Sequence, residues 1–146
     1  MAGDRKHRAA HYADVLTLSQ EARMAENIYS QEGILDWAVE TFGIVAADPR
    51  ERILRFLEEA IELAHACGID DLTLHKVEAR VYSRPAGKPE LEMAQCAVTL
   101  KALAEVHRVD LIDVEVEEIE RVHAIPKEEW QRRHAAKTAV GITASQ

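Results

Sequence analysis

The sequence predicts an all-α fold arranged as a helical bundle. Apolar residues recur at helical spacing along most of the chain, and only six glycines and four prolines interrupt its 146 residues. These glycines and prolines fall at positions where helices would begin or end. The chain length suits one domain with a single core.

Charge and composition narrow the classes of function. Hydrophobic residues make up 47% and charged residues 30%, as in ordinary globular proteins, and the net charge is −8. An acidic chain is a poor general binder of nucleic acid or of anionic membranes, because both require basic surface. We find no apolar run that would span a bilayer and no apolar core of a secretory signal near the N-terminus. We therefore expect a cytoplasmic protein without membrane or nucleic-acid partners.

The two cysteines do not indicate a disulfide framework or a CxxC metal site. Cys67 and Cys96 both lie in apolar helical surroundings. We expect them to be small buried residues in a reducing compartment.

The first helices follow from their end signals. Residues 1–30 form a polar extension, in which 13–29 has some helical character. "GILDWAVETFG" predicts a short helix ended by Gly43. In "DPRERILRFLEEAIELAHACG", Asp48 suits the N-cap, Pro49 the first helical position and Gly68 the left-handed C-terminal position.

The second half of the chain continues in the same way. Asp70 begins the next predicted helix, the prolines and glycine of "RPAGKP" predict a loop, and a long helix runs from about residue 90 to 107. Asp110 or Asp113 begins another helix. "DVEVE" alternates as a strand would, but the wider apolar spacing favours a helix. Pro126 precedes the last helix. The predicted domain is therefore 31–137, followed by a loose tail at 138–146.

The first long helix has an apolar and a charged side. The apolar side comprises Ile53, Leu57, Ala60, Ile61, Leu63, Ala64 and Cys67. The charged side comprises Glu51, Arg55, Glu58, Glu59 and Glu62. Arg55 is spaced for ion pairs with several of these glutamates, and such pairs support exposed helices. Periodicity alone therefore favours a solvated face over a metal site.

The second long helix, "ELEMAQCAVTLKALAEVH", is apolar almost all round, with Lys101 and Glu105 on its one polar stripe. This pattern is typical of a buried helix. A buried carboxylate such as Glu92 needs a partner, either a basic residue of another helix or a divalent cation. Three glutamates on the first long helix favour the cation, and oxygen ligands favour Mg²⁺ or Mn²⁺.

These segments together resemble the MazG-like nucleotide pyrophosphohydrolases of the all-α NTP pyrophosphatase superfamily, in a compact bacterial and phage branch. The family pattern is EExxE on one helix and ExxD on a later one. Here EExxE is Glu58, Glu59 and Glu62, and the later helix supplies Glu92 and, in place of aspartate, Gln95. "DWAVETFG", "ERILRFLEEAIELAHACG", "RPAGKPELE" and "VTLKALAEVHRVDL" carry the resemblance, from about residue 36 to 121.

The resemblance implies a function and a role for each of these residues. It implies hydrolysis of a nucleoside or deoxynucleoside triphosphate to the monophosphate and pyrophosphate, by a bundle completed as a homodimer or homotetramer. Three residues would ligate Mg²⁺, with Mn²⁺ as a substitute: Glu59, Glu62 and Glu92. Glu58 would be catalytic, holding a second metal or orienting the water, and Gln95 would be a weak ligand or support the ligands. Arg55 and Arg84 would bind phosphate oxygens, with a surface charge or an ion pair as the open alternative for each. Trp37 would stack on the base, although a packing role is favoured for it.

Two alternatives stay open. A catalytically weakened relative would bind nucleotides or partner proteins without turnover, and Gln95 favours that interpretation. A plain helical interaction module would carry the glutamates as surface charge. The sequence contains neither a glycine-rich phosphate loop nor HExxH zinc spacing, so those chemistries are not predicted.

Overall fold

A computed structural model describes residues 27–143 of the protein. Within that range the chain forms six α-helices and one short 3-10 helix, without any strand, so the all-α prediction is confirmed. The helices are α1 Gln31–Phe42, α2 Pro49–Ala66, α3 Asp71–Tyr82, α4 Pro89–His107, α5 Leu111–Ala124 and α6 Lys127–Ala139, with the 3-10 helix Ile44–Ala47 between α1 and α2. The predicted helical character of 13–29 lies almost wholly outside the described residues.

Aspartate caps begin three of the helices at the predicted positions. Asp48 Oδ1 accepts hydrogen bonds from the backbone N–H groups of Arg50 at 2.7 Å and Glu51 at 3.3 Å. Asp70 accepts from Thr73 N at 2.7 Å, and Asp110 accepts from Ile112 N at 3.1 Å. Each side chain satisfies amides that the first helical turn leaves without a partner. Asp110, rather than Asp113, therefore begins α5.

Two predicted glycines end the helices before them. Gly43 follows α1 with φ +86° and ψ −178°, a backbone conformation that is essentially restricted to glycine. Gly68 follows α2 with φ +84°. Both allow a sharp change of chain direction. The final helix α6 continues to Ala139, so the tail predicted at 138–146 begins slightly later than expected.

The packed part of the chain lies where α1, the 3-10 helix and α6 meet. Ala38 and Ala46 are almost completely buried there, and Thr41 is buried beside them. Five rings form an aromatic cluster around this point. They are Trp37, Phe42, His123, Trp130 and His134. The Trp130 indole N–H donates to the Val122 carbonyl at 3.0 Å, which fixes α6 against the end of α5.

Helices α3 and α4 bury none of their residues within the single chain. Met93, Val98 and Val106 of α4 are 70%, 67% and 79% exposed. The prediction that α4 is a buried helix is therefore wrong for one chain alone, because no other described element covers it. Cys67 and Cys96 are exposed as well, which corrects the expectation that they are buried.

Candidate functional site

The charged side of α2, predicted to face solvent, is the packed side at the start of this helix. Glu51 is only 1% exposed, in the first turn after the 3-10 helix that contains the buried Ala46. Arg55 places its Nε 3.2 Å from Glu51 Oε1, which neutralises the buried carboxylate. On the apolar side, Ile53 and Leu57 are at least half exposed. The solvated-face interpretation is therefore wrong for this part of α2.

Glu58 is held by two cationic side chains. Its Oε2 accepts hydrogen bonds from Arg55 Nη1 at 2.6 Å and from Lys137 Nζ at 2.7 Å. Arg55 also donates through Nη2 to the carbonyl of Ile142, beyond the end of α6. The predicted catalytic glutamate and one predicted phosphate-binding arginine are thus already paired with each other. Lys137 was not identified from the sequence, because it lies 79 positions from Glu58 and outside every motif.

The second glutamate of the EExxE motif, Glu59, is surrounded by other carboxylates. Partial burial raises the pKa of its carboxyl above the ordinary value, and repulsion from Glu62, Glu58 and Glu118 adds to the rise. Lys137 opposes this rise. Glu58, Glu59, Glu62 and Glu118 are here called the acidic strip.

Glu118 of α5 also belongs to this acidic strip, although the sequence did not predict it as a site residue. Arg121 binds it through two hydrogen bonds of 2.6 Å, which lower the pKa of its carboxyl. An i, i+3 pair of this kind is indistinguishable in the sequence from ordinary surface charge. Only the placement of α5 near α2 reveals that Glu118 and Glu59 repel each other.

Glu92 lies in the first turn of α4, where the helix dipole favours a carboxylate. Its side chain folds over Gly87 of the preceding loop. A Cβ atom at position 87 would stand 1.9 Å from Glu92 Oε1. Among residues 27–143 the Glu92 carboxylate makes no hydrogen bond or ion pair. The Glu92 side chain is exposed.

Within the described residues, however, a single chain does not assemble the predicted metal centre. No three histidine, cysteine, aspartate or glutamate side chains between residues 27 and 143 converge in a geometry that would hold a metal ion. The C-terminal ends of α2 and α4 do meet, since Cys67 Sγ lies 3.8 Å from His107 Nε2. Measured along the helix axes, Glu92 lies about 22 Å from that contact on α4, and Glu62 lies about 7 Å from it on α2. The two carboxylates therefore lie at different heights along their helices.

The remaining predicted site residues are spread over the surface of the described chain. Arg84 lies in the exposed loop between α3 and α4. Gln95 is exposed on α4, and its backbone carbonyl accepts a hydrogen bond from the Thr99 hydroxyl at 2.9 Å. Among the described residues, neither side chain is joined to a glutamate of the acidic strip by a hydrogen bond or an ion pair.

Trp37 occupies the packing position that the sequence favoured. Its ring centroid lies 5.9 Å from that of Phe42, 5.5 Å from that of His123 and 5.6 Å from that of Trp130. The same residue lines an open cleft of about 440 Å³ between α1 and the corner that joins α5 to α6. Trp37 therefore contributes mainly to the core, with part of its surface turned to this cleft.

Comparison with protein families, with curated proteins and with solved structures finds no match to this chain. The likeness to the MazG-like family consequently rests on the motifs themselves. None of the helices between residues 27 and 143 combines the length and apolarity needed to cross a membrane.

Proposed function

We propose that the protein is a metal-dependent nucleoside or deoxynucleoside triphosphate pyrophosphohydrolase of the MazG-like type. The observation that carries the proposal is the order of the motifs, in which EExxE on α2 is followed by the "RPAGKP" loop and a glutamate-led helix. The raised pKa of Glu59 adds support, because carboxyls with perturbed pKa values are common at functional sites.

The proposed mechanism divides the work among residues of α2, α4 and the preceding loop. Glu59, Glu62 and Glu92 would hold Mg²⁺ or Mn²⁺, which neutralises phosphate charge and lowers the pKa of a water molecule. Glu58 would accept a hydrogen bond from that water and orient it for in-line attack. Arg84 would bind phosphate oxygens, and Arg55 would join it by exchanging its present contacts with Glu58 and the Ile142 carbonyl. Trp37 would contact the base from the cleft. The proposal includes a cytoplasmic location, because of this class of substrate.

Association of two or more copies is a second part of the proposal. A helix as apolar as α4 gains stability in water mainly by burying its sides against other helices, and the described chain offers it no such partner. A homodimer, or a tetramer built from two dimers, would cover α4 and the exposed apolar side of α2. Such an assembly would also bring the Glu92 carboxylate of one copy close to the acidic strip of another.

A panel of nucleoside and deoxynucleoside triphosphates tests this function. We expect pyrophosphate release from at least one member in the presence of Mg²⁺ or Mn²⁺, and its loss in Glu59→Gln. Glu128→Gln is the matched control, because Glu128 is an exposed glutamate of α6 away from the motif. If no member is hydrolysed and neither metal nor nucleotide raises the Tm, only a helical interaction module remains.

A nucleotide-binding regulator is the second candidate, and Gln95 is the observation that favours it. A glutamine oxygen carries no charge where the family pattern has a carboxylate, so a cation there would be held more weakly. Nucleotide binding without turnover would support this candidate. Under the enzyme proposal Gln95→Asp should raise metal affinity, and a lower affinity would place Gln95 away from the metal.

A further inference from the structure

Three aromatic side chains line the cleft between α1 and the corner that joins α5 to α6. They are Trp37, His123 and Trp130, and each is partly exposed. Their mutual packing holds them in place, since the Trp37 ring centroid lies 5.5 Å from that of His123 and 5.6 Å from that of Trp130. A planar heterocycle fits the cleft volume of about 440 Å³ and would gain contact area against these rings.

Two side chains of opposite charge line the same cleft. Glu40 belongs to α1 and Lys127 is the first residue of α6, and both are exposed. Among residues 27–143 neither side chain makes a hydrogen bond or an ion pair, with the other or with any third residue. A ligand in the cleft therefore meets a carboxylate that only accepts hydrogen bonds and an ammonium group that only donates them, beside the aromatic rings.

Guanine is the common nucleobase whose hydrogen-bonding edge matches this pair of charges. Its N1–H and its N2 amino group are adjacent donors, which one carboxylate can accept together, and the neighbouring O6 accepts from an ammonium group. Adenine lacks the N1 hydrogen, and cytosine and uracil each have a single donor group on that edge. The paired hydrogen bonds to the carboxylate therefore favour guanine over the other bases.

We infer that the cleft is a guanine site in which Glu40 accepts from N1–H and the N2 amino group, Lys127 donates to O6, and the base lies against Trp37. This inference rests on the proposed function, because that function makes the ligand a nucleotide, and it adds the identity of the base. It makes Glu40 and Lys127 the residues that determine base specificity.

The cleft is close enough to the acidic strip for one nucleotide to reach both. On α5, His123 follows Glu118 by five positions, which is about 7.5 Å along the helix axis. On α6, Trp130 precedes Lys137 by seven positions, about 10.5 Å along the axis, and Lys137 contacts Glu58. The ribose and triphosphate of a nucleotide whose base lies in the cleft can span these distances.

Calorimetric titration with guanosine, inosine and adenosine 5′-monophosphates, without any divalent cation, tests the contacts to the base apart from hydrolysis. Inosine differs from guanosine only in lacking the N2 amino group. We expect the guanosine monophosphate to bind about tenfold more tightly than the inosine monophosphate, the value of one hydrogen bond to a charged acceptor. Glu40→Ala should abolish this difference. Glu32→Ala is the matched control, because Glu32 is an exposed glutamate of the same helix that does not line the cleft.

Lys127→Met provides a second test through O6, which guanine and hypoxanthine share and adenine lacks. It should weaken binding of the guanosine and inosine monophosphates by the same factor, about fivefold, and leave that of the adenosine monophosphate unchanged. Lys76→Met is its control, since Lys76 is an exposed lysine of α3.

Three results overturn the guanine site: equal binding of the guanosine and inosine monophosphates, a preference that survives in Glu40→Ala, or no binding of any of the three. Pyrophosphate release from some triphosphate would still support the enzyme in each case. Conversely, a guanosine preference that depends on Glu40, without hydrolysis of any triphosphate, retains the guanine site and refutes the proposed enzyme.

Discussion

The carboxylate of Glu92 occupies the space that a side chain at position 87 would fill. Gly87 leaves this space open, and a Cβ atom there would lie 1.9 Å from Oε1 and 2.9 Å from Cδ of Glu92. The "RPAGKP" loop thus sets where the Glu92 carboxylate stands, although the two residues are joined by no hydrogen bond. This contact provides a way to move Glu92 without altering its chemistry.

Gly87→Ala should displace the Glu92 carboxylate while preserving the fold. The contacted atoms are the flexible end of a side chain, so the clash is relieved by a change of rotamer and the Tm should shift by no more than about 2 °C. If Glu92 ligates the metal, we expect Mn²⁺ affinity to fall by about tenfold. Unchanged metal affinity in both Gly87→Ala and Glu92→Gln would remove Glu92 from the proposed ligand set.

Glu59→Gln should stabilise the protein when no divalent cation is present. The folded state raises the pKa of this carboxyl, so the folded state binds more protons than the unfolded state between the ordinary and the raised pKa. Stability is therefore lost as the pH rises through the raised pKa, and the neutral amide avoids this loss. Because Glu59 is largely exposed, we expect a gain of only about 0.5 kcal/mol at pH 7. Denaturant melts at pH 4 and pH 7 measure it.

Addition of Mg²⁺ should reverse the order of stability of these two proteins. A cation that binds only the folded state stabilises the unmodified protein, whereas Glu59→Gln lacks the charge to hold it. Glu128→Gln should respond to Mg²⁺ as the unmodified protein does. An equal response to Mg²⁺ in Glu59→Gln would show that the ion binds elsewhere.

Glu129 should contribute to acid unfolding. Hydrogen bonds from Arg132 and Arg133 lower the pKa of its carboxyl to about 2. This group favours folding at pH values above its ordinary pKa of 4.5, and the contribution is lost as the pH falls toward 2. Glu129→Gln should lower the Tm at pH 7 and reduce the dependence of Tm on pH below 4.5. Parallel Tm profiles for the two proteins over that range would contradict the assignment.

Val98→Glu should weaken the proposed association of copies. Val98 is 67% exposed on α4, and a charge placed in an apolar interface loses the burial of the valine, so we expect the dissociation constant to rise by tenfold or more. Ile44→Glu is the control, because Ile44 is 81% exposed but lies in the 3-10 helix, away from α4. Sedimentation velocity over a range of protein concentrations measures both. A monomer at all concentrations, in the unmodified protein, would contradict the association itself.

The sequence predicted the helices of residues 27–143 well because their end signals are local. Asp48, Asp70 and Asp110 act on amides within three residues, and Gly43 and Gly68 act through their own φ angles. These effects need no knowledge of the tertiary structure.

The faces of the helices were harder to predict, because they depend on what each helix meets. Glu51 was assigned to a solvated face of α2, yet it is buried. Its burial is tolerated because the Arg55 guanidinium neutralises its charge. The contact between Lys137 and Glu58 joins residues far apart in the chain and carries no motif. Glu92 was expected to lie opposite the α2 glutamates, and within residues 27–143 a single chain does not bring it there.

The aromatic cluster determines what optical methods will detect. Both tryptophans of the chain, Trp37 and Trp130, lie in it with their ring centroids 5.6 Å apart. Fluorescence excited selectively at tryptophan therefore reports the melting of the α1 and α6 region, whereas α3 and α4 contain no tryptophan. Circular dichroism sees all the helices equally. A difference between the two melting curves would show that the exposed helices unfold as a separate cooperative unit.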